Sequence, residues 1–599
     1  MEGKKLSPLV AATLNLEHNQ QSLQEEADRT TLSLADHTGT TTPSNEPSLE
    51  KGVEKQPLPY GDEDEEDKKP DAAPATTPSE DQWITGPKLY AIVASVTLAC
   101  FLILLDLSII VTAVPRITTQ FNSLPDVGWY GSSYQLAAAS LQPLAGKIYS
   151  NFPAKISFLA FFFIFELGSL LCGVSTSSKM LIVSRAVAGI GAAGLINGAL
   201  TILSVCIPLH KRPAFFGGMM GFAQMGLVIG PLLGGAFTQY TTWRWCFYIN
   251  LPLGGIVFIL LLLIQIPDTV KRREISIFEI IRTKLDLIGF ALFAPAAIQF
   301  FLALDYGGHQ YAWNSATIIG LFCGAGGTFI VFLVWEKFKG DNAMIPFSMF
   351  KHRSVWSSCI VILFFFGMLQ LASYYLPIYF QSIKDATPML SGVYMLPSII
   401  SQLIGALSSG VLVSKMGYYL PWIIASGVMT SVSNGLLSTF SPTTSAGKWI
   451  GYQILLGTGR GFGLQMPFIA VQNTLPPAFV PVSMALISFS QNFGGAVLLA
   501  IGETVLTNGL KSNVPKYAPD VDPAIIIAAG ATGIRDVVSN STQLAGVIRA
   551  YATSVDSIFY LAAACGCVVF VAGWGMGWKD IRKKEEAKPV EPPVKDGEV

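Results

Sequence analysis

Charged residues are scarce in this chain. They make up 13% of its 599 residues, whereas 51% are hydrophobic, and soluble domains carry about 25% charged residues. This composition predicts a membrane protein. The formal net charge of −1 gives no reason to expect nucleic acid as a partner.

Sequence motifs of common enzyme and cofactor classes are absent as well. The chain has no GxxxxGK(S/T) nucleotide loop, no HExxH zinc motif and no GxSxG nucleophile motif, which argues against ATP-driven transport and hydrolysis. The eight cysteines lie in or at the ends of apolar segments, without CxxC pairs or regular loop spacing. We therefore expect no enzymatic activity, no metal and no cofactor, and we interpret the cysteines as small core residues.

Residues 1–87 differ from the rest of the chain. They are rich in Ser, Thr, Pro and acidic residues and include the run DEDEED at 62–67. Such a segment cannot bury enough surface to fold, and no cationic start precedes a short apolar stretch as in a signal peptide. We predict a disordered cytoplasmic tail.

The remaining sequence is dominated by apolar stretches. With about 20 apolar residues per spanning helix, fourteen spans are predicted, and they begin near Leu89, Val127, Ile156, Met180, Phe215, Cys246, Leu285, Thr317, Val355, Leu390, Leu420, Trp449, Pro481 and Ser557. An even number of spans places both termini on one side of the membrane. Basic residues cluster in alternate connections, near 147–155, 211–212, 271–284, 337–353 and 579–584, and the positive-inside rule makes that side cytoplasmic. The glycosylation sequon at Asn540 then falls in an outer loop, predicted at 509–556.

The fifth predicted span has an unusual content of glycine and proline. Its run GLVIGPLLGGAF contains Gly226, Gly230, Pro231, Gly234 and Gly235. Glycine costs about 1 kcal/mol in a helix and interior proline about 3 kcal/mol. In a membrane, small residues spaced by four let helices approach closely, and neighbouring groups satisfy the backbone that proline frees.

This run and several other segments together resemble the motifs of one family. The run resembles the antiporter motif of the major facilitator superfamily. Further matches follow in the expected spans, and they are LDLSIIVTAVP at 105–115, GKIYSNFPAK at 146–155, RAVAGIG at 185–191 and WRWCFYINLP at 243–252. The segments GRGFGLQMP at 459–467 and GATGIR at 530–535 resemble the fungal branch of the fourteen-span drug:proton antiporters, which exports toxins and drugs.

The resemblance implies an all-α membrane protein with two six-helix halves, at 88–267 and 355–578. Cytoplasmic linkers and two extra central helices would fill 268–354, and a cytoplasmic tail would follow at 579–599. Gly146, Lys147 and Lys155 occupy the cytoplasmic loop motif, but Ser150 stands where the family carries an aspartate. The charge-relay role of that position is therefore not expected here, and the lysines remain to anchor the inner face. The glycine-rich fifth helix would form a bendable seam between the moving halves.

Placing an ionisable side chain inside a membrane span costs free energy. Each such residue is therefore a candidate for a functional role. Asp106 and Arg185 are predicted to lie at similar depth and to face each other across the cavity, where Asp106 would exchange the coupling proton under the influence of Arg185. A permanent structural ion pair is the alternative. Glu503 is a second proton-site candidate near the outer end of its span, unless it is simply solvated, and Glu166 is expected to make hydrogen bonds in helix packing.

Polar residues within spans are candidates for a substrate cavity, because small-molecule sites are mostly apolar with a few polar groups. The candidates are Gln135, Asn197, Gln224, Tyr374, Arg460, Gln465 and Gln491. Many of them will instead join helices by hydrogen bonds. For Arg460 we favour organisation of nearby carbonyl groups over substrate binding.

The sequence therefore leads to an expected function that rests on the resemblance. It is proton-coupled efflux of small amphipathic organic compounds by a monomer in the plasma membrane, or in a vacuolar or vesicle membrane. A proton-coupled importer, such as a siderophore-type carrier, is the alternative with the same fold. A non-transporting membrane sensor is the alternative from another class.

Overall fold

The computed structural model describes residues 83–121, 123, 126–267, 277–308 and 311–582. Within these ranges the chain forms helices joined by short connections, and no β-strand occurs among them beyond two isolated bridges. The predicted N-terminal tail lies outside the described residues except for 83–87, and the C-terminal tail except for 579–582. The disorder of the N-terminal tail therefore stays a prediction.

Seven helices make up the N-terminal half. They are α1 (Pro87–Phe121), α2 (Val127–Asn151), α3 (Ala154–Gly173), α4 (Ser178–Cys206), α5 (Arg212–Tyr240), α6 (Trp245–Tyr248) and α7 (Asn250–Leu263). The short α6 leads almost directly into α7, because Ile249 between them keeps helical dihedral angles. Together they form the sixth spanning segment.

Three helices follow in the centre of the chain, α8 (Ile277–Lys284), α9 (Leu287–Tyr306) and α10 (Ala316–Lys339). The long helices α9 and α10 pack against each other, and α9 also packs against α2. Asp286 caps the start of α9 and Ser315 caps the start of α10, each by accepting a hydrogen bond from a backbone amide of the first turn. These two helices are the extra pair that the resemblance implies.

Nine helices make up the C-terminal half. They are α11 (Arg353–Ser382), α12 (Pro388–Tyr394), α13 (Leu396–Met416), α14 (Leu420–Leu437), α15 (Ala446–Gly463), α16 (Met466–Thr474), α17 (Val480–Tyr517), α18 (Pro523–Val537) and α19 (Ser541–Gly573). Two of the spans consist of two helices each. Helix α12 continues into α13, and α15 continues into α16.

The two halves repeat the same packing scheme. In the N-terminal half α1 packs against α5, and α4 packs against both α2 and α3; in the C-terminal half α11 packs against α17, and α15 packs against both α13 and α14. The halves meet through two equivalent pairs, α5 with α13 and α2 with α17. Repeated halves with a shared interface are the architecture that alternating access requires.

Thirteen helical segments of the described chain are long and apolar enough to cross a membrane. The remaining predicted span, expected to begin near Val127, is the 25-residue helix α2. Its lower apolarity comes from polar side chains that find partners inside the protein. Ser133 and Ser140 donate to carbonyl groups one turn earlier, and Gln142 accepts from Asn492 of the other half.

The prediction that residues 509–556 form a loop is wrong, because most of that segment is helical. Helix α17 continues to Tyr517, α18 fills 523–537, and α19 begins at Ser541 rather than near 557. Caps by Asp522 and Asn540 start the last two helices. The hydropathy window missed these helical turns because α18 has only 15 residues and the adjoining turns of α17 and α19 are polar, although Ile526, Ile534 and Val547 are buried.

The interpretation of all cysteines as core residues is partly wrong. Cys323 and Cys567 are exposed on the helix surface and Cys359 is half-buried. A spanning helix turns one apolar face toward lipid, so an apolar position in it need not be a core position. The other five are buried, namely Cys100, Cys172, Cys206, Cys246 and Cys565.

Candidate functional site

A buried ion pair lies inside the N-terminal half. Asp106 of α1 and Arg185 of α4 are both fully buried, with Arg185 Nη1 2.5 Å from Asp106 Oδ2. The Arg185 Nε atom donates to the carbonyl of Tyr130 at 2.9 Å, and its guanidinium lies 4.5 Å from the centre of the Tyr134 ring. Helix α2 therefore holds the cation while α1 supplies its counter-ion.

The second carboxylate oxygen of Asp106 joins two more helices to this site. Asn250 Nδ2, at the start of α7, lies 3.3 Å from Asp106 Oδ1 and 3.1 Å from Ser169 Oγ of α3. Asn250 belongs to the segment WRWCFYINLP at 243–252, which carries part of the family resemblance. Neither Asn250 nor Ser169 was predicted to be a site residue. The site thus connects five helices of one half through charged and polar side chains.

The prediction that Asp106 and Arg185 face each other across a cavity is wrong, because they are in direct contact. Removing one partner of a buried pair costs about 3–5 kcal/mol, since the other charge is left without compensation. Protonation of Asp106 removes the same negative charge. A change in the charge of Asp106 would therefore alter the stability of this arrangement around Arg185.

Glu503 belongs to a separate site in the other half. It lies on α17, where Tyr375 OH donates to Glu503 Oε2 at 3.2 Å. The neighbouring Tyr374 is 53% exposed, and its ring centre is 5.2 Å from that of Tyr375. The sequence placed Glu503 near the outer end of its span. Because α17 continues to Tyr517, Glu503 instead lies well inside its helix.

The two halves are joined by hydrogen bonds at one end of the bundle. We call it the basic end, because the connections 151–154, 207–211 and 340–352 at this end carry or adjoin clustered basic residues. Ser488 donates to Asn197 at 2.9 Å, and Arg212 Nη1 donates to Gln472 Oε1 at 2.9 Å. The bundle is thus closed at the basic end.

Glycines bring the backbones of the two halves together at the same end. A methyl group at Gly146 of α2 would lie 2.6 Å from Ala485 Cβ, and one at Gly217 of α5 would lie 2.4 Å from the carbonyl oxygen of Ala406. At the opposite end, Gln135 of α2 and Tyr374 of α11 are exposed. Each half therefore has an exposed polar or aromatic side chain toward the end opposite to the basic end.

The candidate cavity residues fall into two groups. Gln135 and Tyr374 are exposed, and Gln224 and Gln491 are half-buried. Asn197 is fully buried in the closed interface.

Arg460 and Gln465 are buried inside the C-terminal half. Arg460 Nη2 donates to the carbonyl of Leu369 at 3.1 Å, and Gln465 Nε2 donates to the carbonyl of Ala406 at 3.1 Å. No carboxylate pairs with Arg460 in the part of the chain that the structure describes. These contacts agree with carbonyl organisation by Arg460, although the carbonyl belongs to α11 and not to the glycines beside it.

The interpretation of the glycine-rich helix as a seam between the halves is wrong. A methyl group at Gly226 would lie 2.7 Å from the carbonyl oxygen of Phe101, and methyl groups at Gly230 and Gly234 would also overlap atoms of α1. This face of α5 therefore packs against α1 within one half. Helix α5 runs continuously through Pro231, and Gly235 has no atom within 4 Å of an added methyl group.

The lysines of the loop motif have different partners. Lys155 Nζ donates to the carbonyls of Leu262 and Ile264 at 2.9 and 2.8 Å, which closes the end of α7. Lys147 is buried and interacts electrostatically with Glu336 and Asp286. Two carboxylates of the central helices therefore act on Lys147 in a motif that lacks its usual aspartate.

Sequence reasoning did not identify these two carboxylates. Asp286 accepts from Trp335 Nε1 at 2.8 Å, and Glu336 accepts from the amide of Ile345 at 2.7 Å. Both lie next to helix ends with many charged neighbours, where the sequence offers no sign of burial. In the described ranges, no cluster of three or more His, Cys, Asp and Glu side chains is placed to hold a metal ion.

Comparisons with known proteins agree with this architecture. The sequence pattern of the Major Facilitator Superfamily matches residues 96–499. The chain is 60% identical over 519 residues to the MFS-type transporter pigP of Monascus ruber, covering 86% of this chain and 91% of that protein. It is 52% identical over 523 residues to the efflux pump mlcE of Penicillium citrinum, covering 86% of this chain and 94% of that protein.

A solved structure shows the same fold at low sequence identity. The human organic anion transporter MFSD10 has a TM-score of 0.53 and 12% identity, covering 80% of this chain and all of that chain. The family pattern spans most of the helical region. The fungal relative pigP is 60% identical to this chain over the aligned residues. The chain therefore belongs to the Major Facilitator Superfamily, in a fungal branch that includes proteins named as efflux pumps.

Proposed function

We propose that the protein is a proton-coupled exporter of small amphipathic organic compounds, including toxins, drugs and secondary metabolites. The observation that carries the proposal is the fully buried Asp106–Arg185 ion pair in a repeated-halves transporter fold. The efflux pump mlcE, with 52% identity, supports the direction of transport.

Proton binding at Asp106 is the coupling step. A proton that enters from outside forms an O–H bond with a carboxylate oxygen of Asp106, and the attraction to Arg185 falls. The Tyr130 carbonyl and the Tyr134 ring keep Arg185 in place. The weaker attraction therefore frees Asp106 and its helix α1 to move. Release of the proton on the cytoplasmic side restores the ion pair.

Alternating access between the halves links this step to the substrate. In the proposed orientation, which follows the positive-inside rule, the basic end faces the cytoplasm, and the state with a closed basic end would be the one that opens to the outside. Opening of the basic end would break the contacts of Ser488 with Asn197 and of Arg212 with Gln472. A substrate would then enter from the cytoplasm and leave when the halves close again at the basic end.

The accessible polar side chains suit an amphipathic substrate. Tyr374 and Gln135 offer an aromatic surface and an amide at the open end, and Glu503 with Tyr375 adds a negative group. A few polar groups within an apolar surface fix the orientation of such a ligand without demanding one chemical structure.

The protein would act as a monomer in the plasma membrane, with both termini in the cytoplasm. Each chain contains both repeated halves, so the cavity needs no second copy. Asn540 is exposed at the start of α19, on the outer side in this orientation, and is the proposed glycosylation site.

An accumulation assay tests this function. Efflux-deficient yeast with and without the protein would be loaded with a panel of fluorescent drugs and fungal metabolites, before and after collapse of the proton gradient. We expect lower accumulation that returns to the control level when the gradient is collapsed. Higher accumulation would indicate import, and no difference across the panel would count against export of this compound class.

A further inference from the structure

Glu166 is a carboxyl group inside a spanning helix that the proposed mechanism does not use. It lies on α3, and neither of its side-chain oxygens is accessible to solvent or has a hydrogen-bond partner among the described residues. The hydrogen-bonded packing role expected from the sequence is therefore wrong. A charged carboxylate without donors is costly to bury, and binding a proton removes that cost.

The carboxyl group fits against a glycine of α7. A methyl group at Gly254 would lie 1.9 Å from Glu166 Oε1 and 2.4 Å from its carboxyl carbon, whereas one at Gly255 would meet no atom within 4 Å. The missing side chain at position 254 thus provides the space in which this carboxyl group lies.

Polar residues one helical turn away from Glu166 and from Gly254 are connected to the ion pair. Ser169 follows Glu166 on the same face of α3, and Asn250 precedes Gly254 on the same face of α7. Asn250 Nδ2 contacts both Ser169 Oγ and Asp106 Oδ1. Asn250 Oδ1 and Arg185 Nη2 have no partner of their own in the described structure.

The charges around Glu166 come from few groups. Asp106 of α1 acts on it electrostatically, and Arg185 of α4 is the buried cation of the cluster. Helix α7 carries no titratable side chain, while Cys172 of α3, Tyr134 of α2 and Cys246 and Tyr248 of α6 are neutral in their ordinary state. Lys155 and Lys179 belong to the ends of α3 and α4 and are not part of the cluster. Two carboxyl groups thus share one cation, and a single proton between them leaves the cluster neutral.

We propose that Glu166 is a second proton-binding group of the N-terminal half and that it exchanges its proton with Asp106. While Asp106 is paired with Arg185, the proton is on Glu166. On exchange, the O–H bond at Glu166 breaks, an O–H bond forms at Asp106, and the negative charge moves from Asp106 to Glu166, so the net charge of the cluster stays the same. This proposal rests on the proton coupling proposed above.

Infrared spectroscopy of the purified full-length protein in lipid vesicles tests the proposal without any substrate. The carbonyl stretch of protonated carboxyl groups would be followed during a pH titration of the wild type, Glu166→Gln and Asp106→Asn. We expect a band that Glu166→Gln lacks. In Asp106→Asn the same band should titrate at a pH different from that in the wild type, because the charge of a neighbouring group is gone.

Matched variants control for folding and for other carboxyl groups. Gly254→Ala should shift the Glu166 band, since its methyl group displaces the carboxyl, and Gly255→Ala should leave it unchanged. Asp556 of α19 is another side chain with an unpartnered buried oxygen, and Asp556→Asn should not alter the Glu166 band.

Two results would overturn the proposal. If Glu166→Gln and Gly254→Ala leave every protonated-carboxyl band unchanged, Glu166 does not hold a proton. If the Glu166 band disappears at the same pH in Asp106→Asn as in the wild type, the two groups are not coupled. Because no transport is measured, either result can occur while gradient-driven export stands, so the two proposals fail separately.

Discussion

Removing the charge of Asp106 should separate a coupling role from a purely structural one. In Asp106→Asn the guanidinium of Arg185 stays fully buried and keeps the Tyr130 carbonyl and the Tyr134 ring, but it loses its counter-ion at 2.5 Å. We expect the variant to be less stable and to lose gradient-driven export.

The structure also sets the expected size of the stability change. An uncompensated buried charge costs about 3–5 kcal/mol, and both side chains are fully buried. In the double variant Asp106→Asn with Arg185→Gln, the unpaired cation is gone. Its loss of stability should therefore be clearly smaller than the sum of the losses in the two single variants.

The measurement combines two assays on the wild type, both single variants and the double variant. Thermal unfolding in detergent would report stability, and export of a compound identified by the accumulation assay would be followed across an imposed proton gradient in vesicles. Export in the double variant should stay at the level without a gradient, since no carboxylate remains at position 106 to take the proton.

Either of two results would refute the reasoning. Wild-type gradient-driven export by Asp106→Asn would show that this carboxylate does not carry the coupling proton. Recovery of gradient-driven export in the double variant, together with stability, would show that the pair only holds the helices together.

Three further predictions concern packing and modification. Gly230→Ala should lower stability by about 1–3 kcal/mol, because its methyl group overlaps α1. Gly235→Ala, whose methyl group has no atom within 4 Å, should melt no lower than the wild type. Equal melting temperatures of the two variants would contradict the packing described. Gly146→Leu should force the basic end open and raise hydrogen exchange in α16 and α17, whereas Gly128→Leu, with no atom near the added methyl group, should not; unchanged exchange in both would argue against closure there. Asn540→Gln should abolish a glycosidase-sensitive mass shift of the protein expressed in a fungal host, and absence of that shift in the wild type would show that Asn540 is not modified.

The spans could be predicted because each one contains a long apolar run that indicates a membrane helix by itself. A long apolar run such as Ala154–Gly173 must be helical in lipid, where backbone groups can only be satisfied within the segment. Polar helices gave weaker evidence. Residues 509–556 were assigned to a loop because hydropathy detects burial in lipid but not packing of a partly polar helix against the protein.

The sequence identified the charged members of the site but not how they are arranged. Asp106 and Arg185 were recognisable because ionisable residues are rare within spans. Asn250 and Ser169 were not, since amides and hydroxyls occur in many spanning helices and their own segments do not show which of them contact a buried charge. Asp286 and Glu336 were missed for a different reason, because their burial depends on how the central helices fold back on Lys147.

The sequence by itself determined that the chain spans a membrane, where its long apolar spans lie and which charges need an explanation, because these properties depend on the local composition of each segment. Only the tertiary structure decided that Asp106 contacts Arg185 directly, that the glycine face of α5 packs within one half, and that Glu166 lies against Gly254 without a partner. These are contacts between residues far apart in the chain. They depend on how helices pack, which no single segment encodes.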